Sequence, residues 1–155
     1  HTKLYESGNL SRINFQAYLL QLMDYIATSY APHAGIRWKG TAPDIVLNVD
    51  LSINLGLIIT ELITNAFKHG FKGRGAGMVN AEIKELQDGC HQLVVQDDGI
   101  GLPANFMLGR SNSLGLEIVQ SLTEQIDGEL KIISGNGAKF EITFYPSKRK
   151  SKKHN

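Results

Sequence analysis

Residues 51–70 read LSINLGLIITELITNAFKHG. Ile58, Ile59, Leu62, Ile63 and Ala66 recur at three- and four-residue steps, so they line one face of a helix. The pattern predicts a helix over residues 52–69, with Gly70 as its C-terminal stop. Glu61, Asn65 and Lys68 stand at i, i+4 and i+7 and share a narrow polar stripe, with His69 at its edge. A carboxylate, an amide and an ammonium stacked in this way suit a site that holds a phosphate and its metal ion. The amide oxygen of Asn65 is a hard ligand for Mg²⁺, Lys68 neutralises phosphate, and Glu61 accepts a proton or holds a water. A solvated helix face with a Glu-to-Lys pair fits the same stripe, and the helix alone does not separate the two readings.

Working outward, residues 14–30 carry Phe15, Tyr18, Leu19, Leu22, Ile26 and Tyr30 at helical spacing, with Asn14 as a cap and Pro32 as a stop. Residues 36–39 and 45–49 read as short strands on either side of a turn at 40–44. Residues 70–77 contain four glycines and lack the G-x-x-x-x-G-K-[ST] pattern of a phosphate loop, so they read as a flexible connection. Residues 78–86 and 92–96 form a predicted hairpin turning at Asp88-Gly89. An irregular segment (97–114) precedes a helix over 115–126, and strands over 129–134 and 138–145 close the chain. Strands joined mostly by hairpins, with helices on one face, predict an α+β fold: a two-layer α/β sandwich with a mixed sheet. The order argues against a doubly wound dinucleotide fold.

Two glycine turns frame the last helix. In DDGIGLP (97–103), Gly99 and Gly101 permit backbone shapes and close ligand approach that a β-carbon forbids. Asp97 ends the apolar strand LVVQ, where a carboxylate can accept a hydrogen bond from an exocyclic amine such as that of adenine. An ordinary turn fits as well. In SNSLGLEIVQ (111–120), Gly115 stands at the mouth of a helix whose free N–H groups can face phosphate, and a helix start capped by Ser113 also fits. The order of these parts is more telling than any one: polar-striped helix, strand ending in D-x-G-x-G, intervening loop, glycine-led helix.

With these motifs in place, the sequence resembles the ATP-binding catalytic domain of sensor histidine kinases, in the superfamily shared with DNA gyrase B, MutL and the large heat-shock chaperone ATPase. ELITNAFKHG (61–70) is similar to the N box, DDGIGLP to the first glycine box, SLGLEIV (113–119) to the second and GAKFEITF (137–144) to the closing strand. Residues 1–22 resemble the linker of the second histidine-kinase dimerisation subfamily. The resemblance implies a Bergerat-type ATPase fold and a layout of linker end (1–13), catalytic domain (14–146) and basic disordered tail (147–155). It implies that Asn65 ligates Mg²⁺, that Glu61 polarises the attacking group or positions a water, and that Lys68 and His69 contact phosphate or ribose. Asp97 would hold the adenine amino group, with Gly99 and Gly101 allowing close approach. Residues 98–114 would form a lid, in which Arg110 is the one basic residue and the candidate phosphate contact. Gly115 and Leu116 would offer backbone to phosphate.

Two positions depart from the family pattern. Ser113 stands where glycine is common, and Ala138 where threonine is common. Loss of one neutral hydrogen bond costs about 0.5–1.5 kcal/mol, so weaker ATP binding is expected. None of His1, His33, His69, His91 or His154 stands in a phosphoacceptor motif. The implied acceptor is therefore a histidine on dimerisation helices outside this chain, and autophosphorylation by the chain alone is not expected. A response regulator and a homodimeric full-length protein are the further implied partners. The competing readings are a non-catalytic nucleotide-sensing module and a protein-serine kinase of the anti-sigma-factor type.

Composition agrees with a single globular domain: 155 residues, 42% hydrophobic, 20% charged, net charge +1. No uninterrupted apolar run approaches the roughly 18 residues of a membrane span, and the first nine residues do not read as a signal peptide. The absence of an initial Met suggests a fragment or a processed product. Cys90 is the single cysteine, which excludes an internal disulfide and a zinc site of its own and fits a reducing cytoplasm. Lys148, Arg149, Lys150, Lys152 and Lys153 crowd the C-terminus, and without these five charges the body is near −4. That leaves no basic stripe for nucleic acid, and no membrane contact is expected.

Overall fold

The computed structural model describes residues 12–32, 34–102 and 115–147. The elements are β1 (Arg12–Asn14), α1 (Phe15–Tyr30), β2 (Ile36–Thr41), β3 (Val46–Asn48) and α2 (Val49–Asn65), the last continued by a π-helical turn (Ala66–Gly70). There follow β4 (Gly77–Glu85), β5 (His91–Asp97), α3 (Leu116–Gln125), β6 (Glu129–Gly135) and β7 (Gly137–Phe144).

Local chemistry accounts for the helix ends. The Asn14 side chain accepts from the Ala17 N–H at 3.2 Å and caps α1. Ala31 closes that helix in the left-handed region, at φ 45°, just before Pro32. Helix α2 begins earlier than residue 52, because Asn48 caps it by accepting from the Leu51 N–H at 2.8 Å. Asp50 in the first turn complements the positive end of the helix dipole. The Asp88-Gly89 pair takes positive φ at both residues, 56° and 81°, and turns the β4–β5 hairpin as expected.

The five-stranded sheet runs β2-β4-β5-β7-β6. Only β2–β4 is parallel; the other three pairings are antiparallel. The two strands flanking residues 40–44 do not pair with each other. β2 takes the edge of the main sheet, while β3 pairs with β1 in a separate two-stranded ribbon. β1 lies where the sequence suggested only a linker end and a cap. Three residues are too few to show alternation, and their pairing is made by a segment more than thirty residues away. At the outer edge of β2, the Gln16 side chain accepts from the Ala42 N–H and donates to the Gly40 carbonyl at 3.3 Å.

Helices α1, α2 and α3 cover one face of the sheet. Leu19 and Met23 of α1, Leu55, Ile58, Ile59, Leu62 and Ile63 of α2, and Val119 of α3 are buried together with Val79, Ile83, Leu93, Val95, Phe140 and Ile142 of the strands. Asn80, Glu82, Lys84 and Gln96 alternate onto the opposite, exposed face. This is the α+β sandwich that the sequence predicts. The stretch Val49–Gly70 is long and apolar enough to cross a membrane, with mean hydropathy 1.3, a point that uninterrupted apolar runs do not reveal. More than half of it is buried here, and it packs between α1 and α3 as the central core helix.

Ile59 is fully buried and Ile53, on the same helix, is half exposed. Ile59→Val is expected to cost about 0.5–1.5 kcal/mol, and Ile53→Val within about 0.5 kcal/mol, measured as shifts in urea midpoint at unchanged m-value.

Candidate functional site

Asp97 is the last residue of β5, the central strand. Its side chain lies in a row across the sheet with Val79 of β4 and Trp38 of β2, on the face covered by helices. It is only 7% exposed. Its Oδ1 accepts from the Gly99 N–H at 2.9 Å and from the Ala138 N–H at 3.4 Å. No hydrogen bond among the described residues reaches Oδ2. Burial pushes the carboxyl above its ordinary range, the two amide bonds oppose that, and the neighbouring Asp98 charge adds a smaller upward push.

The D-x-G-x-G turn is pinned from two sides. The Ile100 N–H donates to the Gly70 carbonyl at 2.7 Å, and a β-carbon on Gly99 would run into that same carbonyl. Gly101 takes φ +81° and packs against the β6–β7 hairpin, where the Leu102 N–H donates to Ser134 Oγ at 2.9 Å. The close approach that these glycines allow is therefore, within the described residues, approach to other parts of the chain.

At the far end of α2, Glu61 and Gly115 come together. Gly115 adopts φ +68° at the start of α3, and the Glu61 carboxylate fills the space that a β-carbon there would need. Leu116 follows with its side chain in the core and its peptide in the first turn of α3. Asn65 is the last α-helical residue of α2, half-buried, and Ala66 opens the wider π turn. That turn divides the predicted stripe. Glu61 lies on the α3 side, whereas Lys68 is exposed and its Nζ stands 5.9 Å over the Tyr30 ring at the end of α1. His69 is held below its ordinary pKa by partial burial, then by Lys72 and Lys68, so at neutral pH it is an uncharged hydrogen-bonding group. Arg110 and Ser113 lie outside the described residues, as do most of the predicted lid and the stretch from Lys148 onward.

Sequence reasoning missed the Ala138 N–H and the Ser134 hydroxyl. The first is a backbone group that any residue but proline supplies, and the second lies in an unremarkable strand end. Two hollows of about 450 and 270 Å³ flank Trp38 between α1 and β2, but no candidate residue lines either.

A buried acid thus ends the central strand, a glycine turn is locked against it, and a glycine-led helix faces a glutamate. A model of the family described as histidine kinase-, DNA gyrase B-, and HSP90-like ATPase matches residues 50–149, and the chain belongs to that family. It is similar to the sensor histidine kinase PdtaS of Mycobacterium tuberculosis (strain ATCC 25618 / H37Rv), with 42% identity over 114 residues, covering 72% of this chain and 22% of that protein. Blue-light-activated histidine kinase 2 of Erythrobacter litoralis is 29% identical over 100 residues, covering 64% of this chain and 29% of that protein. The histidine kinase domain of the Erythrobacter litoralis EL346 blue-light activated histidine kinase superposes with a TM-score of 0.79 at 26% identity, covering 85% of this chain and 61% of that one. The chain thus spans less than a third of the length of these two curated relatives.

Asp97→Asn keeps an oxygen for both amides and removes the buried charge. Because folding raises this pKa from 3.8, the carboxyl's stabilising contribution is complete at lower pH and is lost as pH rises through the raised value. The Asn variant is therefore expected to have a higher Tm than the parent at neutral pH, with the gap closing below about pH 4, followed by circular dichroism across a pH series.

Proposed function

We propose that this domain binds ATP with Mg²⁺ and passes the γ-phosphoryl group to a histidine on dimerisation helices outside the chain, as the catalytic domain of a two-component sensor histidine kinase. One observation carries the reading: the Asp97 carboxyl is buried with Oδ1 committed to the Gly99 and Ala138 amides, while Oδ2 has no hydrogen bond among the described residues. An acceptor fixed in that way suits the exocyclic amine of adenine, because the two amides fix the carboxylate plane through Oδ1.

The phosphate end follows from α2 and α3. Mg²⁺ keeps most of its waters and takes one or two protein oxygens beside the phosphates. Asn65, at the end of α2, supplies an oxygen of that kind. The ion, when bound, offsets phosphate charge. Lys68 adds a cation once it leaves the Tyr30 ring, a contact of only about 0.5–1 kcal/mol at an exposed position. Neutral His69 contacts ribose or phosphate by hydrogen bonding. The Gly115–Leu116 peptide brings the positive end of α3 to the phosphates. Glu61, already beside Gly115, is the group to take the proton from the acceptor imidazole. Arg110 would join from the lid.

Residues 1–13 then lead in from the dimerisation helices, 14–146 form the catalytic unit and 147–155 a basic tail. A response regulator receives the phosphoryl group, and the whole protein is a cytoplasmic homodimer. Ala138 favours a second reading: its methyl is buried beside Asp97, with no hydroxyl to assist the base, as in a nucleotide-sensing module that transfers nothing.

Saturating ATP·Mg²⁺ at a hundred times its Kd is expected to stabilise the domain by about 2.7 kcal/mol, read as a thermal shift, and Asp97→Asn is expected to abolish that shift. Joined to its upstream helices, the protein should acquire an acid-labile, base-stable phosphate. Bound ATP without label would support the sensing module, and an acid-stable label a serine kinase.

A further inference from the structure

Arg74 lies in the glycine-rich connector, and Asp98 is the second acid of DDGIG. Neither has a part in the mechanism above, yet they meet directly behind the proposed base site. The Asp98 N–H donates to the Met78 carbonyl at 3.3 Å, and the Met78 N–H donates to Asp98 Oδ1 at 2.8 Å. Met78 is the second residue of β4, and the next residue, Val79, is the cross-strand partner of Asp97. Asp98 is thus stitched twice to the strand beside Asp97.

Arg74 acts on the next peptide. Its Nη1 donates to the Asp98 carbonyl at 3.2 Å. That carbonyl and the Gly99 N–H belong to one peptide unit, which is planar and trans, so its two polar groups point in opposite directions. Holding the carbonyl outward aims the N–H inward, and that N–H is the one bonded to Asp97 Oδ1 at 2.9 Å. The connector is shaped for this contact. Gly73 takes φ +74°, and the Arg74 N–H closes a turn onto the Phe71 carbonyl at 2.9 Å. Residues expected to be a flexible connection form a turn that presents the guanidinium. No carboxylate pairs with Arg74 among the described residues, which leaves the guanidinium to the peptide oxygen.

We infer that Arg74 and Asp98 are positioning residues for base recognition: by fixing the Asp98–Gly99 peptide plane they set the rotation of the Asp97 carboxyl, and so the direction in which Oδ2 accepts. This rests on the reading of Asp97 as the adenine acceptor. The test is calorimetric titration of the whole chain with adenosine, with ATP·Mg²⁺ and with tripolyphosphate·Mg²⁺. Arg74→Ala and Asp98→Ala are expected to weaken adenosine and ATP about three- to tenfold, the size of one lost hydrogen bond, and to leave tripolyphosphate unchanged. Asp98→Asn, whose amide oxygen still accepts from Met78, is expected to bind like the parent. Unchanged adenosine affinity in both alanine variants overturns the inference, as does an equal loss for tripolyphosphate, the mark of general loosening. A parent chain that binds tripolyphosphate but not adenosine overturns the adenine reading itself, and this inference with it. Should Asp98→Ala not fold, the exposed Arg74 carries the test alone.

Discussion

A carboxylate taken out of water at the end of a central strand is costly unless the chain supplies donors for it. Asp97 receives two amides, one from its own turn and one from β7, and most of the local structure exists to bring them there. The antiparallel neighbours of β5, β4 and β7, fix where the strand ends. The carbonyl of Gly70, at the end of the central helix, fixes where the turn sits. The β6–β7 hairpin holds its far side through Ser134. Three separated stretches of chain therefore depend on one acid, and the acid on them. Its raised proton affinity records how incomplete the compensation is.

The π turn after Asn65 connects the surroundings of Asp97 to the stretch of α2 where Glu61 meets Gly115. A regular α-helix would carry Lys68 onto the stripe of Glu61 and Asn65. The wider turn sends it toward α1 and at the same time delivers Gly70 to the D-x-G-x-G turn. Local irregularities of this type are frequent at functional positions. Here the irregularity does two geometric jobs that a straight helix cannot combine: it ends the polar stripe, and it seats a carbonyl against Ile100.

Much of the fold was legible because its signals are local. The caps at Asn14, the Asp88-Gly89 turn and the apolar face of residues 51–66 each announce themselves within a few residues. The family motifs were legible for the same reason. What stayed hidden was set by distant pairing or by backbone. β1 is three residues whose strand partner among the described residues is β3. The parallel docking of β2 beside β4 follows from the core and from no pattern within residues 36–41. Gly99 looked like room for a ligand, but a carbonyl fills that room. The Ala138 amide and the Arg74 bond to a peptide oxygen carry no side-chain signature at all, since their partners are main-chain or carboxylate atoms fixed only by the fold.

The outer strand β2 would ordinarily present bare main-chain groups to solvent, an invitation to other copies of the chain. Gln16, reaching down from α1, satisfies Gly40 and Ala42 as a sixth strand would. One carboxamide thereby occupies two main-chain groups at that end of the border, which an incoming strand could otherwise pair with.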